Sequence, residues 1–118
     1  MKAATLLAGL LPLAVQAQGG AAWPTKAVKL IIPFPPGGST DIVGRIAAER
    51  MARELGQPVV IENRGGAGGA IGAEMIARAA PDGYTLGIAT VSTHGVLPVV
   101  NPKLAYDALR DFIPVTNL

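Results

Sequence analysis

The chain has 118 residues, of which 50% are hydrophobic and 15% charged, and this length suits one modest domain or part of a larger one. Its formal net charge is +2, its basic residues stand singly, and it has only two Phe, two Tyr and one Trp, which argues against nucleic acid as a partner. The absence of cysteine excludes disulfides and thiolate metal sites.

The first residues have the features of a secretory signal peptide. Lys2 precedes an apolar run from Ala3 to Val15, which is shorter than the ~20 residues that span a bilayer. Val15 and Ala17 are small residues at the positions three and one before a cleavage site, so the mature chain is predicted to begin at Gln18.

A buried strand and an amphipathic helix are predicted next. The stretch Ala27–Phe34, "AVKLIIPF", has the near-continuous apolar character of a strand covered on both faces. A helix is then expected from Ser39 or Thr40, either of which can cap it, with Asp41 in its first turn. Gly56 is a natural C-terminal stop for this helix.

The remaining pattern alternates strands and helices. A second strand is predicted at Pro58–Glu62, a helix at about 70–80, and a third strand at Thr85–Thr90, after the turn "PDGY". The stretch "DFIPVT" from Asp111 is interpreted as the beginning of a fourth strand. This order predicts an α/β fold with a mostly parallel sheet, right-handed crossovers and helices on both faces.

Three loops are predicted to meet at one edge of this sheet. They cover residues 33–39, 63–69 and 91–98, the last being a loop or the start of a short helix, and each is rich in Gly, Pro or small hydroxyl residues. Ligands of such sheets bind outside the carboxyl ends of the strands, at a topological switch point. A small-molecule site is therefore expected at this edge.

The first loop, "PFPPGGSTD", has the composition of an anion site that needs no cation. Its three prolines fix the backbone, and Gly37 and Gly38 permit conformations that other residues avoid. Free N–H groups at the start of the following helix would then favour a negative charge. A tight strand-to-helix connection with ordinary capping explains the same residues equally well.

The other two loops favour binding rather than catalysis. Gly66, Gly68 and Gly72 have the spacing G-x-G-x-x-x-G, which is not the dinucleotide fingerprint, and no G-K-[ST] triplet is present. Ser92 and His94 are too close in sequence to form a presumed nucleophile–base pair, and one histidine without cysteine makes no familiar zinc site. We therefore predict no enzyme activity, no cofactor and no metal.

Several linked motifs, "PFPPGGSTDIVGR", "LGQPVVIENRGGAGGAIGAE", "ARAAPDGYTLGIAT", "STHGVLP" and "YDALRDFIPVT", occur in this order. Together they resemble the tripartite tricarboxylate transporter receptor family, the periplasmic solute-binding proteins often called Bug proteins. The resemblance extends from about Trp23 to Leu118. It implies a two-lobed Venus-flytrap protein that captures a small carboxylate (a di- or tricarboxylate, an amino acid or an aromatic acid) and delivers it to a membrane permease.

The resemblance also implies a ligand-binding set contributed by the three loops. Its members are Phe34, Gly37, Gly38, Ser39, Thr40, Asp41, Gly66, Ala67, Gly68, Gly69, Thr90, Ser92, Thr93 and His94. Backbone amides of the first loop are expected to hold the carboxylate. Asp41 either supports its helix or favours ligands with an amino group, and Phe34 packs either against the ligand's carbon chain or in the core.

Family members are considerably longer than this chain. The expected organisation is a signal peptide at 1–17, a flexible lead-in at 18–26 and an incomplete first lobe at 27–118. Two other interpretations stay open: a fragment of an α/β enzyme that binds a phosphorylated or nucleotide substrate, and a truncated product without function. Ligand-dependent stabilisation without turnover would favour the receptor, whereas protection by phosphate or nucleotide would favour the enzyme fragment.

Overall fold

The protein is described here by a computed structural model that covers residues 22–118. The predicted signal peptide, residues 1–17, lies outside the described residues. The regular elements, in chain order, are strand β1 (Val28–Ile32), helix α1 (Ser39–Leu55), strand β2 (Val59–Asn63), a 3₁₀ turn (Ala67–Gly69), helix α2 (Ala70–Ala77), strand β3 (Thr85–Gly87), a π-helical turn (Val91–Val96) and helix α3 (Leu97–Val100).

The three strands form one parallel sheet in the order β2-β1-β3. The central strand β1 pairs Ile32 with Asn63 on one side and Ile31 with Gly87 on the other. Because β1 has neighbours on both edges and on both faces, Val28 and Ile32 are fully buried. The apolar run that predicted a doubly covered strand is thus confirmed.

Helices α1 and α2 cover opposite faces of the sheet. On one face, a Cβ added to Gly44 of α1 would lie 2.6 Å from the Ile32 side chain and 2.8 Å from that of Ile88. On the other face, Ile76 of α2 packs over Gly87, which is the register partner of Ile31. Successive strand residues point to opposite faces, so the predicted sheet with helices on both sides is confirmed.

The predicted helix boundaries hold at one end of α1 and differ at the other. Gly56 ends the helix in the left-handed conformation (φ 66°), as predicted, and its N–H donates to the Ala52 carbonyl. At the other end the cap is Gly38, with an extended backbone and no side-chain hydrogen bond, so the prediction that Ser39 or Thr40 caps the helix is wrong. Ser39 is instead the first helical residue.

The end of the chain differs from the sequence prediction. The π-helical turn and α3 replace the third loop by a short helical segment, which was one of the two forms expected there. Residues 101–118 contain no helix or strand, and the predicted fourth strand at "DFIPVT" is not formed. Ile113 is 83% exposed and Val115 77% exposed, and the segment pairs with neither edge strand of the sheet, β2 or β3. Within the described residues, no helix has the length and apolar character needed to cross a membrane.

Candidate functional site

The structure brings the three predicted loops together at the carboxyl edge of the sheet. The strand order β2-β1-β3 puts the topological switch point between β1 and β3, beside the first and third loops. Gly69 of the second loop joins them, since a Cβ there would lie 3.1 Å from the Phe34 ring and 2.6 Å from the Thr93 methyl group. The Ser92 hydroxyl donates to the Gly68 carbonyl over 2.8 Å, which ties the third loop to the second.

The start of α1 offers backbone donors at this edge. The first helical bond runs from the Ile42 N–H to the Gly38 carbonyl, and no side chain among residues 22–118 caps the helix. The amides of Gly38, Ser39 and Thr40 therefore precede the intrahelical ladder. They border an open depression of about 400 Å³, whose lining residues are Phe34, Pro35, Pro36, Gly38, Ser39 and Thr40.

The proline–glycine corner, residues 33–38, gives this depression a fixed shape. Proline restricts φ to about −65°, so Pro33, Pro35 and Pro36 leave the corner little freedom. Gly37 then turns the chain with a φ of 89°, which other residues rarely adopt. The first turn of α1 thus begins open to solvent, since Gly38 and Ser39 are exposed and Gly38 has no side chain.

Asp41 supports this corner from behind. Its side chain is 4% exposed, and its Oδ2 accepts hydrogen bonds from Arg45 Nε and from the Gly37 N–H, each over 2.9 Å. Its Oδ1 accepts from Asn63 Nδ2, also over 2.9 Å. Arg45 first, then the Gly37 amide and then Asn63, lower the pKa of Asp41 from 3.8 to about 2. Asp41 does not line the depression, and this arrangement fits the helix-support interpretation.

Asn63 is a residue of the site region that the sequence interpretation missed. It ends β2 and donates its two amide hydrogens to Asp41 Oδ1 and, over 3.1 Å, to the Phe34 carbonyl. Two features of the sequence could have indicated this role. Asn63 is a polar residue at the end of an apolar strand, and the neighbouring loop contains prolines, which have no N–H group to donate to the acceptors there.

The third loop uses most of its polar groups internally. Thr90 and Thr93 form a reciprocal capping box at the start of the π-helical turn, and Thr93 is fully buried. His94 Nδ1 lies 2.9 Å from Thr93 Oγ1, and the His94 ring packs edge-on against Phe112 at 4.5 Å. Burial lowers the pKa of His94. Tyr106 closes the cluster by donating from its hydroxyl to the Thr93 carbonyl.

The polar side chains of this loop do not form a nucleophile–base pair. The Ser92 hydroxyl donates to Gly68, whereas His94 bonds to Thr93 rather than to Ser92. No group of three or more metal-ligating side chains occurs in the part of the chain that the structure describes. What the edge offers chemically is a set of backbone N–H donors on a rigid, partly apolar floor.

Replacing Gly69 with alanine tests the packing of the three loops. Gly69 has a φ of 98°, and the new methyl group would meet both the Thr93 side chain and the Phe34 ring. We expect the free energy of unfolding to fall by about 2 kcal/mol in urea titrations. Gly38→Ala is the matched control, because Gly38 has a φ of −79° and its added Cβ would meet only the Pro35 carbonyl at 3.8 Å. Equal effects of the two substitutions would contradict the packing described here.

Periplasmic binding proteins are among the solved structures that are similar to this chain. A periplasmic transporter aligns with a TM-score of 0.80 and 64% identity, over 81% of this chain and 32% of that protein. MatC from Rhodopseudomonas palustris with bound malate aligns with a TM-score of 0.76 and 47% identity, over 79% of this chain and 32% of MatC. A second R. palustris protein, with adipate, aligns with a TM-score of 0.71 and 40% identity, over 74% and 29% of the two chains.

Sequence comparison identifies the family. The model of the tripartite tricarboxylate transporter family receptor matches residues 43–118. Protein BugT of Bordetella pertussis is 43% identical over 95 residues, which are 80% of this chain and 29% of BugT. A protein of Agrobacterium vitis is 41% identical over 118 residues, covering 96% of this chain and 32% of that protein. The chain therefore belongs to the tripartite tricarboxylate transporter receptor family, as its motifs indicated, and spans about a third of the length of these relatives.

Proposed function

We propose that this chain forms the carboxylate-binding edge of a periplasmic solute receptor, which captures a small carboxylate for a tripartite tricarboxylate-type permease without turning it over. The observation that carries this proposal is the uncapped start of α1, which borders the open depression on the proline–glycine corner. Residues 1–17 would be the signal peptide that directs export, 18–26 the lead-in, and 27–118 part of the first lobe.

The donors available to a ligand carboxylate are backbone amides. The N–H groups of Gly38, Ser39 and Thr40 lie where the helix dipole favours a negative charge. The two guanidinium groups near this edge are already engaged, Arg45 with Asp41 and Arg64 with Glu62, whose Oε1 lies 2.6 Å from Arg64 Nε. Since neither arginine lines the depression, a carboxylate bound there would be held by the helix start rather than by an ion pair.

The rest of the site accounts for the class of ligand. Phe34, Pro35 and Pro36 give the depression an apolar floor on which a short carbon chain can lie. The Asp41 side chain is 4% exposed and does not line the depression, so it offers no acceptor to a ligand's amino group there. Malate in MatC and adipate in the second R. palustris protein are both dicarboxylates, which supports this ligand class here.

A proline substitution can remove one donor with little change in the fold. Ser39 is the first helical residue, where proline is tolerated, and Gly38 before it has the extended backbone that a following proline requires. Ser39→Pro deletes the N–H of residue 39, whereas Ser39→Ala keeps that N–H and removes only the hydroxyl. The difference between the two variants isolates the amide.

Thermal unfolding by circular dichroism, with malate, adipate, phosphate and AMP added separately, tests the proposal. We expect malate or adipate to raise the melting temperature with increasing concentration, by mass action. Ser39→Pro should weaken this carboxylate binding about tenfold relative to Ser39→Ala, the size expected for one hydrogen bond to a charged group. Stabilisation by phosphate or AMP alone would favour the enzyme-fragment interpretation. Equal carboxylate affinities of Ser39→Pro and Ser39→Ala would show that the start of α1 does not bind the ligand.

A further inference from the structure

Asp41 stands where its own side chain can compete for the donors of the site. With Gly38 as the cap, Asp41 is the third residue of α1, the position from which an acidic side chain commonly reaches back to the amide of the cap residue. In this structure its carboxylate instead accepts from the Gly37 N–H, one residue further back. Gly37 directly precedes Gly38, so the amides that border the depression begin one residue from the group that Asp41 now binds.

Two side chains from different directions hold the carboxylate in its present place. Arg45, one turn along α1, donates to Oδ2, and Asn63, from the end of β2, donates to Oδ1. The backbone beneath Asn63 is itself fixed, because the Arg64 N–H donates to the Ile32 carbonyl over 2.8 Å. Asn63 therefore acts as a rigid donor, whereas the Arg45 side chain is 54% exposed and can move.

The second hydrogen of Asn63 explains why an amide is suited to this position. It donates to the carbonyl of Phe34, in a corner where Pro33, Pro35 and Pro36 have no N–H to offer. An apolar residue would leave both acceptors without this donor, and an aspartate would put a second carboxylate beside Asp41. Asn63 thus ties the corner and the carboxylate to the end of the sheet at the same time.

We propose that Asn63 is a positioning residue that holds Asp41 away from the first amides of α1 and so keeps them open to an external carboxylate. Without Asn63, Asp41 turns toward Gly38 and Ser39 and becomes an internal competitor for the ligand. This inference rests on the proposed function, since it deepens the account of the same site. It predicts a loss of affinity that depends on the charge of Asp41.

The first test is a double-variant cycle with malate and adipate, measured by calorimetric titration. Asn63→Ala is expected to weaken the affinity of the better ligand about tenfold. Adding Asp41→Asn to that variant should return most of the lost affinity, because a neutral amide lacks the attraction of the helix dipole for a negative charge and makes weaker hydrogen bonds to backbone N–H groups than a carboxylate does. If the double variant binds as weakly as Asn63→Ala or more weakly, Asn63 has a structural role only and the inference is wrong.

A second pair of variants covers the outcome in which Asn63→Ala does not fold. Arg45→Ala removes the other side chain that restrains Asp41, from a position that is half exposed and outside the core. A smaller loss of affinity, again rescued by Asp41→Asn, is expected in this background, because Asn63 still donates to Asp41 Oδ1. If Asn63→Ala does not fold, the absence of rescue by Asp41→Asn in the Arg45→Ala background overturns the inference.

The second test needs no ligand and separates this inference from the proposed function. A hydrogen bond to a carboxylate moves an amide proton downfield in the NMR spectrum. With Asn63 present, Asp41→Asn should shift mainly the amide proton of Gly37; with alanine at position 63, it should shift those of Gly38 or Ser39. If the affected amide stays that of Gly37 in both backgrounds, Asp41 does not turn and the inference fails. If the pattern is found but the protein binds no carboxylate, the proposed function is wrong while the restraint on Asp41 stands.

Discussion

Alanine in place of Gly72 is expected to lower the free energy of unfolding by about 3 kcal/mol, at the upper end of the range for overpacked sites. Gly72 is buried in α2 where the helix crosses the end of β1. An added Cβ would lie 2.6 Å from both the Arg64 carbonyl oxygen and the Pro33 Cα. Backbone atoms block it on two sides, so no side-chain rotation can relieve the contact, and α2 must move away from the sheet.

Urea titration followed by circular dichroism measures this change. Gly95→Ala is the matched control, because its added Cβ would meet only a Val91 methyl group at 3.6 Å and its backbone needs no left-handed conformation. We expect the control to change the free energy of unfolding by less than about 0.5 kcal/mol, as is usual for substitutions away from strained or buried sites. Similar losses in both variants would mean that α2 does not pack this closely on β1.

Acid is expected to unfold the protein partly through Asp41. Its pKa is lowered from 3.8 to about 2 in the folded state, so the unfolded chain binds the proton more readily. The stabilisation is therefore complete above pH 3.8 and is lost as the pH falls from there toward 2. In Asp41→Asn this contribution is absent at every pH, and the acid limb of the stability curve should become shallower.

The measurement is the urea midpoint at a series of pH values between 6 and 2. Glu49→Gln is a suitable control, because the Glu49–Arg53 pair is about two-thirds exposed on both sides and such pairs contribute little. We expect Glu49→Gln to keep the wild-type curve between pH 4 and 2. A wild-type slope in Asp41→Asn would show that other carboxyl groups, such as those of Glu62 and Asp107, account for the acid sensitivity; their pKa values are also lowered.

Features that depend on neighbouring residues were predictable from the sequence. The apolar run of β1, the stop at Gly56 and the turn at Gly37 follow from residues that act on their own backbone. The common location of the three loops was also predictable from the order of strands and helices, because parallel strands joined by helices have their carboxyl ends at one edge of the sheet.

Features that depend on distant partners were not predictable in the same way. The hydrogen bond between Asn63 and Asp41 joins residues 22 positions apart, and the sequence around neither residue indicates that the other is its partner. The fourth strand was expected from a local apolar pattern, but a strand forms only where its backbone pairs with a neighbour, and this segment pairs with neither edge strand of the sheet. Thr93 belongs to the ligand set that the family resemblance implies, whereas its side chain is buried in contacts with Thr90 and His94. Its place in the ligand set, like that of the other proposed site residues, stays a prediction.

The stiffness of the proline–glycine corner has a kinetic consequence. A loop that is already fixed by three prolines, Gly37 and the bonds of Asn63 loses little conformational entropy when a ligand arrives. Association at such a preorganised edge needs no slow rearrangement of the corner itself. Differences in affinity among carboxylates should therefore be found in how long each one stays, that is, in dissociation rates rather than association rates.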